Sequence, residues 1–161
     1  MHTGLILWLL PIALSVHVFE EFAYPGGLRD WIRAYRPKKP SANWYYVLAN
    51  GPIILGAIIV ALKANDLLGY RIYLFLVDVM GANAVSHIRG SFQQKQYCPG
   101  TVSGSVLLLP LMILSNVYFL ANDQVDGISI GLLICAGILL GFYVGGVDIR
   151  SKDKSDGLRI G

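Results

Sequence analysis

Charge is what this sequence has least of. Asp, Glu, Lys and Arg make up 14% of its 161 residues, against 55% hydrophobic residues and a mean hydropathy of +0.56. A soluble domain carries about a quarter charged residues to hydrate its surface, so an ordinary water-soluble fold and a disordered chain are both excluded. The formal charge of +3 is small, and the basic residues flank hydrophobic stretches without massing into a groove-sized patch, which excludes nucleic-acid binding. There are only two cysteines. Cys98 lies in a polar loop and Cys135 in an apolar run, at no metal-ligand spacing, so a disulfide framework is excluded and both read as small hydrophobes. Internal repeats and low-complexity tracts are missing too. The first apolar stretch lacks a Lys/Arg leader and a small-residue cleavage site, so it reads as a retained span and not as a signal peptide.

What the chain does have is five apolar runs, each near the ~20 residues an α-helix needs to cross a ~30 Å hydrocarbon core. They fall at about Gly4 to Phe22, Trp44 to Leu62, Tyr70 to His87, Thr101 to Ala121 and Ile128 to Val147. None shows the period-two alternation of barrel strands, and in lipid a backbone must satisfy its own hydrogen bonds. The expected fold is therefore all-α: a polytopic bundle of about five transmembrane helices over residues 1–150, followed by a polar cytoplasmic tail, 151–161. Eleven Lys and Arg follow the first, third and fifth runs, and only Lys63 and Arg71 stand on the other side. The positive-inside rule then puts the N-terminus outside and the C-terminus in the cytoplasm, in a multi-pass protein of the cell membrane. Gly137, Gly141 and Gly145 recur every four residues and predict a flat face for close helix packing, within the chain or between copies. Trp44, Tyr45 and Tyr46 read as an interfacial anchor. Pro11, Pro52 and Pro110 each free a carbonyl four residues earlier and predict kinks.

Ionisable side chains inside a span are costly to bury and gather where they are used. His17, Glu20 and Glu21 close the first run. At ~100° per residue, Glu20 falls about 60° to one side of His17 and Glu21 about 40° to the other, so all three share a face. Asn83 and His87, four residues apart, share a face at the end of the third run. Asn50 enters near the start of the second, and Tyr97, the Pro99-Gly100 turn, Thr101 and Ser103 open the fourth. All of these lie within ~10 Å of one membrane surface, the cytoplasmic one by the charge count. Asp78 stands near mid-membrane, about half a turn around from His87, with Arg71 two turns away and almost in line. Neutralisation by Arg71 or a hydrogen bond to another span is expected for it, in a structural role ahead of a proton relay.

The run His17-Val18-Phe19-Glu20-Glu21 at the end of a first hydrophobic span resembles the defining motif of the HXXEE family of small prokaryotic membrane proteins. Asn83-Ala84-Val85-Ser86-His87 and Gln96-Tyr97-Cys98-Pro99-Gly100-Thr101-Val102-Ser103, with the following Leu107-Leu108-Leu109-Pro110, are similar to that family's later Asn-x-x-x-His and Tyr-x-Pro-Gly elements. The resemblance covers about Leu7 to Val117. It implies that His17, Glu20, Glu21, Asn83, His87, Tyr97, Pro99 and Gly100 carry the family's function, and it brings no reaction with it.

Three functions fit this cluster. The first is a metal-dependent membrane enzyme: His17, His87 and Glu20 or Glu21 supply the two-His, one-carboxylate set that binds Zn(II) or Fe(II) with open positions, and Asn83 or Asn50 orients a ligand. A di-iron centre needs more Glu-x-x-His pairs than the chain has. The second is a metal-free acid/base isomerase, cyclase or hydrolase, with His17, His87, Glu20, Glu21, Asn83 and Tyr97 as its catalytic groups. For either enzyme the depth of the cluster points to a lipid or isoprenoid-like substrate entering from the bilayer. The third is a proton or cation transporter, or a structural membrane subunit.

Overall fold

A computed structural model describes residues 3–23, 27–35 and 43–145. Among these the regular structure is all helical: α1 (Thr3–Ala23), α2 (Gly27–Tyr35), α3 (Asn43–Lys63), α4 (Leu67–Gln94), α5 (Thr101–Ala121) and α6 (Gly127–Gly145). Helices α1, α4 and α5 are long and apolar enough to cross a membrane, and α3 and α6 carry shorter apolar stretches, Asn50–Lys63 and Gly127–Gly141. The tail, seven of the eleven basic residues counted on its side, the surroundings of Gly145 and the side chains of Trp44, Tyr45 and Tyr46 lie outside the described residues.

Two faces of α1 show what solvent the bundle suits. Ile6, Leu10, Leu14 and His17 point inward, while Leu5, Trp8, Ile12, Val16 and Phe19 form an exposed stripe that is just as apolar. The stripe continues on α5 through Val106, Ile113 and Val117 and on α6 through Ile128, Leu132 and Leu139. Exposed apolar area on that scale is a surface for hydrocarbon and not for water.

Helix α4 is the centre of the bundle, packing against α3, α5 and, most extensively, α6. The α4–α6 seam is close because α6 meets it with glycines. A Cβ added at Gly137 stands 2.5 Å from Asp78 Cβ and 3.0 Å from Val79 N, and one at Gly141 stands 2.4 Å from Ala82 Cβ. The glycine face expected from the sequence is thus used within the chain at these two positions. Gly137→Ala is expected to destabilise the protein by about 1–3 kcal/mol through overpacking. Gly131→Ala, with nothing within 4 Å of the new Cβ, is expected to be neutral or stabilising by up to about 1 kcal/mol. Thermal unfolding of the two variants in detergent checks the contrast.

The helix ends follow local chemistry. Asp66 caps α4, its Oδ1 accepting from Gly69 N–H at 2.8 Å, and Asp126 caps α6 in the same way through Ser129 N–H at 2.8 Å. The Ser129 hydroxyl and backbone N–H hold the Asp126 carboxyl well below the ordinary range, at about 2. Arg71 reaches this cap, 3.2 Å from Asp126 Oδ2 and 2.8 Å from Ser129 Oγ. The expected neutralisation of Asp78 by Arg71 is therefore not made: the guanidinium finds a carboxylate, Asp126, at the exposed end of the bundle. Asp78 takes the other expected partner, a side chain on a neighbouring helix.

Pro110 leaves a clear mark. The turn before it, Gly104–Leu108, is π-helical, with Leu109 N–H donating to Gly104 O. A proline lacks the N–H and its ring crowds the carbonyl four residues back, so a wider turn at Val106 relieves the clash. Pro11 and Pro52 lie inside α1 and α3, which continue past them. One residue from the carbonyl that Pro11 frees, Ile6 O accepts from the Tyr73 hydroxyl at 2.7 Å, and that hydroxyl also lies 3.3 Å from Ser115 Oγ, tying α1, α4 and α5 together.

Two elements differ from the sequence reading. Helix α4 runs two turns past His87, because Arg89, Ser91, Gln93 and Gln94 lower hydropathy without breaking a helix. Helix α2 lies between the first two apolar runs, where the sequence reading places only orientation-setting arginines and no helix. Its Leu28, Trp31, Ile32 and Tyr35, at helical spacing, pack with Cys98 while Arg33 stays exposed. The Trp31 ring lies against Gly90, whose added Cβ stands 3.0 Å from Cη2, and so α2 closes the end of the bundle that holds the polar cluster.

Candidate functional site

The cluster is built from the last turns of α1, the body of α4 and the first turn of α5. His17, Glu21 and His87 are all buried. Four-residue spacing stacks His17 over Glu21 on α1, with His17 Nε2 3.5 Å from Glu21 Oε1. From α4, His87 Nε2 reaches the same oxygen at 3.1 Å. The two rings stand edge to face, 5.1 Å between centroids.

Each group is oriented from behind. His17 Nδ1 lies 2.9 Å from Ser103 Oγ on α5. When that nitrogen donates, Nε2 presents its lone pair inward, where it has no hydrogen-bond partner. His87 Nδ1 lies 3.5 Å from Cys98 Sγ, and Asn83 Nδ2 lies 3.4 Å from His87 Nε2. Asn50 Nδ2, from α3, donates to Glu21 Oε2 at 3.4 Å. His17, Glu21, His87 and the two asparagines thus meet in one place, as the helical geometry led one to expect.

Glu20, one residue before Glu21, does something else. Its Oε1 accepts from Gly100 N–H at 2.9 Å, from Val102 N–H at 3.1 Å and from the Tyr97 hydroxyl, and its Oε2 accepts from Ser103 N–H at 2.6 Å. The first amides of a helix have no partner within it and lie at the positive end of its dipole. Glu20 is the cap of α5, supplied by another helix. The metal-ligand set expected from the sequence therefore narrows to His17, Glu21 and His87, and Tyr97 meets Glu20 and not the imidazoles. Neither glutamate pairs with Arg29, which binds Asp30 at 3.0 Å.

The loop between α4 and α5 forms the lid of the cluster. Ser91 ties it down, accepting from Cys98 N–H at 2.8 Å and lying 2.8 Å from Thr101 Oγ1. Gly100 has φ +94°, and a Cβ there falls 2.8 Å from His17 Cε1 and 3.0 Å from His87 Cε1. Only glycine fits, for its backbone and for the imidazoles beneath it. Cys98 is buried and unpaired by any disulfide. Its contact with His87 gives it a place in the site that its reading as a packing residue missed; nothing in the one-dimensional spacing pointed there.

The motif residues His17, Glu20 and Glu21 and the later Asn83, His87 and Pro99-Gly100 elements thus lie together in space, and the profile of proteins of unknown function with an HXXEE motif matches residues 8–115. The chain belongs to the HXXEE family. No curated protein and no solved structure matches it. The matched span runs from the middle of α1 into α5 and holds every member of the cluster, while α6 lies beyond it. For this HXXEE protein the geometry assigns different tasks to the two glutamates of the motif.

Proposed function

We propose that this HXXEE protein is a multi-pass membrane enzyme that holds a divalent metal between His17 Nε2, His87 Nε2 and one Glu21 oxygen, and acts on a lipid or isoprenoid-like substrate. One observation carries this reading. Three donor atoms from three buried side chains lie within 4.8 Å of one another, and one of them, His17 Nε2, has no hydrogen-bond partner. Donors on one tetrahedral ion stand about 3.4 Å apart, which the 3.5 and 3.1 Å pairs through Glu21 Oε1 bracket. The backing contacts fit as well, since a ligating imidazole usually gives its second N–H to an oriented partner, here Ser103 for His17. Two imidazoles and one carboxylate suit Zn(II) or Fe(II), and an ion so held supplies a Lewis acid with positions left open. The chain's own residues do the rest: Asn50 steadies Glu21, and Gly100 lets the lid close on both rings.

The placement of this site follows from the same reading. Five spans are supported by the five apolar runs, and an outer N-terminus with a cytoplasmic site by the eleven-to-two distribution of Lys and Arg across them. A substrate that partitions into the bilayer is supported by the apolar exterior of the helices that carry the cluster.

Elemental analysis of detergent-purified protein tests the proposal. Close to one equivalent of metal is expected in the wild type and next to none in His17→Ala or His87→Ala with helicity unchanged. Ser103→Ala is expected to keep the metal with affinity weakened about 10–100-fold. A wild-type protein that takes up no zinc or ferrous iron would refute it. That result favours a metal-free acid/base site, for which the direct His87–Glu21 contact at 3.1 Å, with Cys98 on the opposite ring nitrogen, is the supporting observation.

A further inference from the structure

Away from the imidazoles, α4 and α5 bring a second polar pair together. Asp78 is fully enclosed and Asn116 nearly so. Asn116 Nδ2 donates to Asp78 Oδ1 at 2.7 Å and to the Met112 carbonyl at 3.0 Å, which uses both hydrogens of the amide. Two acceptors are left over, Asp78 Oδ2 and Asn116 Oδ1, both enclosed and both without a partner.

The neighbourhood offers no charge to answer them. Among the described residues no Lys, Arg or His pairs with Asp78: Arg71 is turned to Asp126, and His87 to Glu21. Helix α6 meets Asp78 with Gly137, and its ionisable side chains, Cys135 and Tyr143, are exposed. Helix α5 carries Tyr118 as its ionisable side chain, 3.1 Å from Thr3 at the far end of the bundle. The Tyr73 and Ser115 hydroxyls are engaged with each other and with Ile6 O.

We infer that Asp78 and Asn116 form a proton-binding site, in which one proton on Asp78 Oδ2 is donated to Asn116 Oδ1. The acid and the amide then make two hydrogen bonds, one in each direction, and a single proton satisfies both leftover acceptors. A carboxylate with no described donor beyond one amide is a poor occupant of a fully buried position, whereas the acid would be hydrogen-bonded through both oxygens. The site also bears on packing. Gly137 brings the α6 backbone onto Asp78, so loss of the proton places an unpaired charge in the tightest seam of the bundle. This inference is independent of the metal reading, because Asp78 and Asn116 contact none of His17, Glu21 and His87.

Infrared spectroscopy of the full chain in liposomes at neutral pH, with carbon-13-labelled aspartate, tests it. The other described aspartates, Asp30, Asp66, Asp123 and Asp126, are exposed, so among the described residues Asp78 is the one source of a buried protonated aspartate. An isotope-shifted C=O stretch of a protonated carboxyl is expected, moving in D2O and absent from Asp78→Asn. The amide replaces the acid atom for atom, and the variant is expected to fold. Asn116→Leu assigns the band independently, since the acid loses its acceptor there and its C=O stretch rises. A spectrum with ionised aspartate bands alone overturns the proposal. So do carboxylate bands that shift when sodium is replaced by choline, which would make the ligand a metal cation.

Discussion

Glu20→Gln and Glu21→Gln, one residue apart, are expected to fail in opposite ways. Glu20 makes its hydrogen bonds to three backbone amides and one hydroxyl of α5 and the lid. Glutamine keeps one acceptor oxygen but turns an NH2 group toward N–H donors, and the charge that favours the helix N-terminus is gone. Hydrogen bonds to a charged group contribute about 1.5–3 kcal/mol each, so a loss of about 2 kcal/mol or more is expected, with faster amide exchange over residues 100–103. Metal should remain bound once the protein is folded. Glu21 offers its carboxylate to two imidazoles and the Asn50 amide and not to backbone, and Gln keeps an acceptor for that amide, so Glu21→Gln should unfold within about 1 kcal/mol of metal-free wild type while its metal content falls at least ~10-fold. Unfolding curves and elemental analysis on the same two preparations separate the roles. Equal loss of metal in two equally stable variants would overturn the division.

The second large effect is expected at Gly100. Alanine at φ +94° is strained by about 1–3 kcal/mol, and its Cβ falls 2.8 and 3.0 Å from the Cε1 atoms of His17 and His87. The rings cannot both retreat, since each is fixed behind by Ser103 or Cys98. Overpacking of this kind costs about 1–3 kcal/mol more. Gly100→Ala should therefore lose about 2–5 kcal/mol of stability together with its metal, whereas Gly51→Ala, with nothing within 4 Å of the new Cβ, should lose neither.

The parts of this architecture that were legible beforehand are those with a short-range cause. The five apolar runs became helices α1, α3, α4, α5 and α6, of which α1, α4 and α5 are long and apolar enough to cross a membrane, because a long apolar run without period-two alternation has helix as its solution. His17 and Glu21 met because residues four apart on a helix must, and Asn83 found His87 by the same rule. What stayed hidden depends on where another helix begins. Nothing within Glu20-Glu21 says that one carboxylate will face the amides of α5 and its neighbour the imidazoles; that is settled by α5 starting some eighty residues later. Cys98 was misjudged for the same reason, since its neighbour His87 is eleven residues back along a helix that first had to turn. Arg71 was assigned to Asp78 by alignment along α4, and the competing acid at Asp126 lay in a different segment. Helix α2 has a readable pattern, Leu28, Trp31, Ile32 and Tyr35, but it is too short and too polar to register as an apolar run, and the Cys98 it packs on lies in a distant loop.

The cap on α5 also orders events during synthesis. The carboxylate of Glu20 leaves the ribosome eighty residues ahead of Gly100, the first amide it will accept from, and Ser103, which steadies the imidazole of His17, follows later still. Until that helix docks, the Glu20 carboxylate lacks the three backbone donors it will accept from and must stay in reach of water, whereas the partners of Glu21 come from α1, α3 and α4. The pocket can thus be completed only late in assembly, by one docking event that brings the cap, the lid and the backing hydroxyl together.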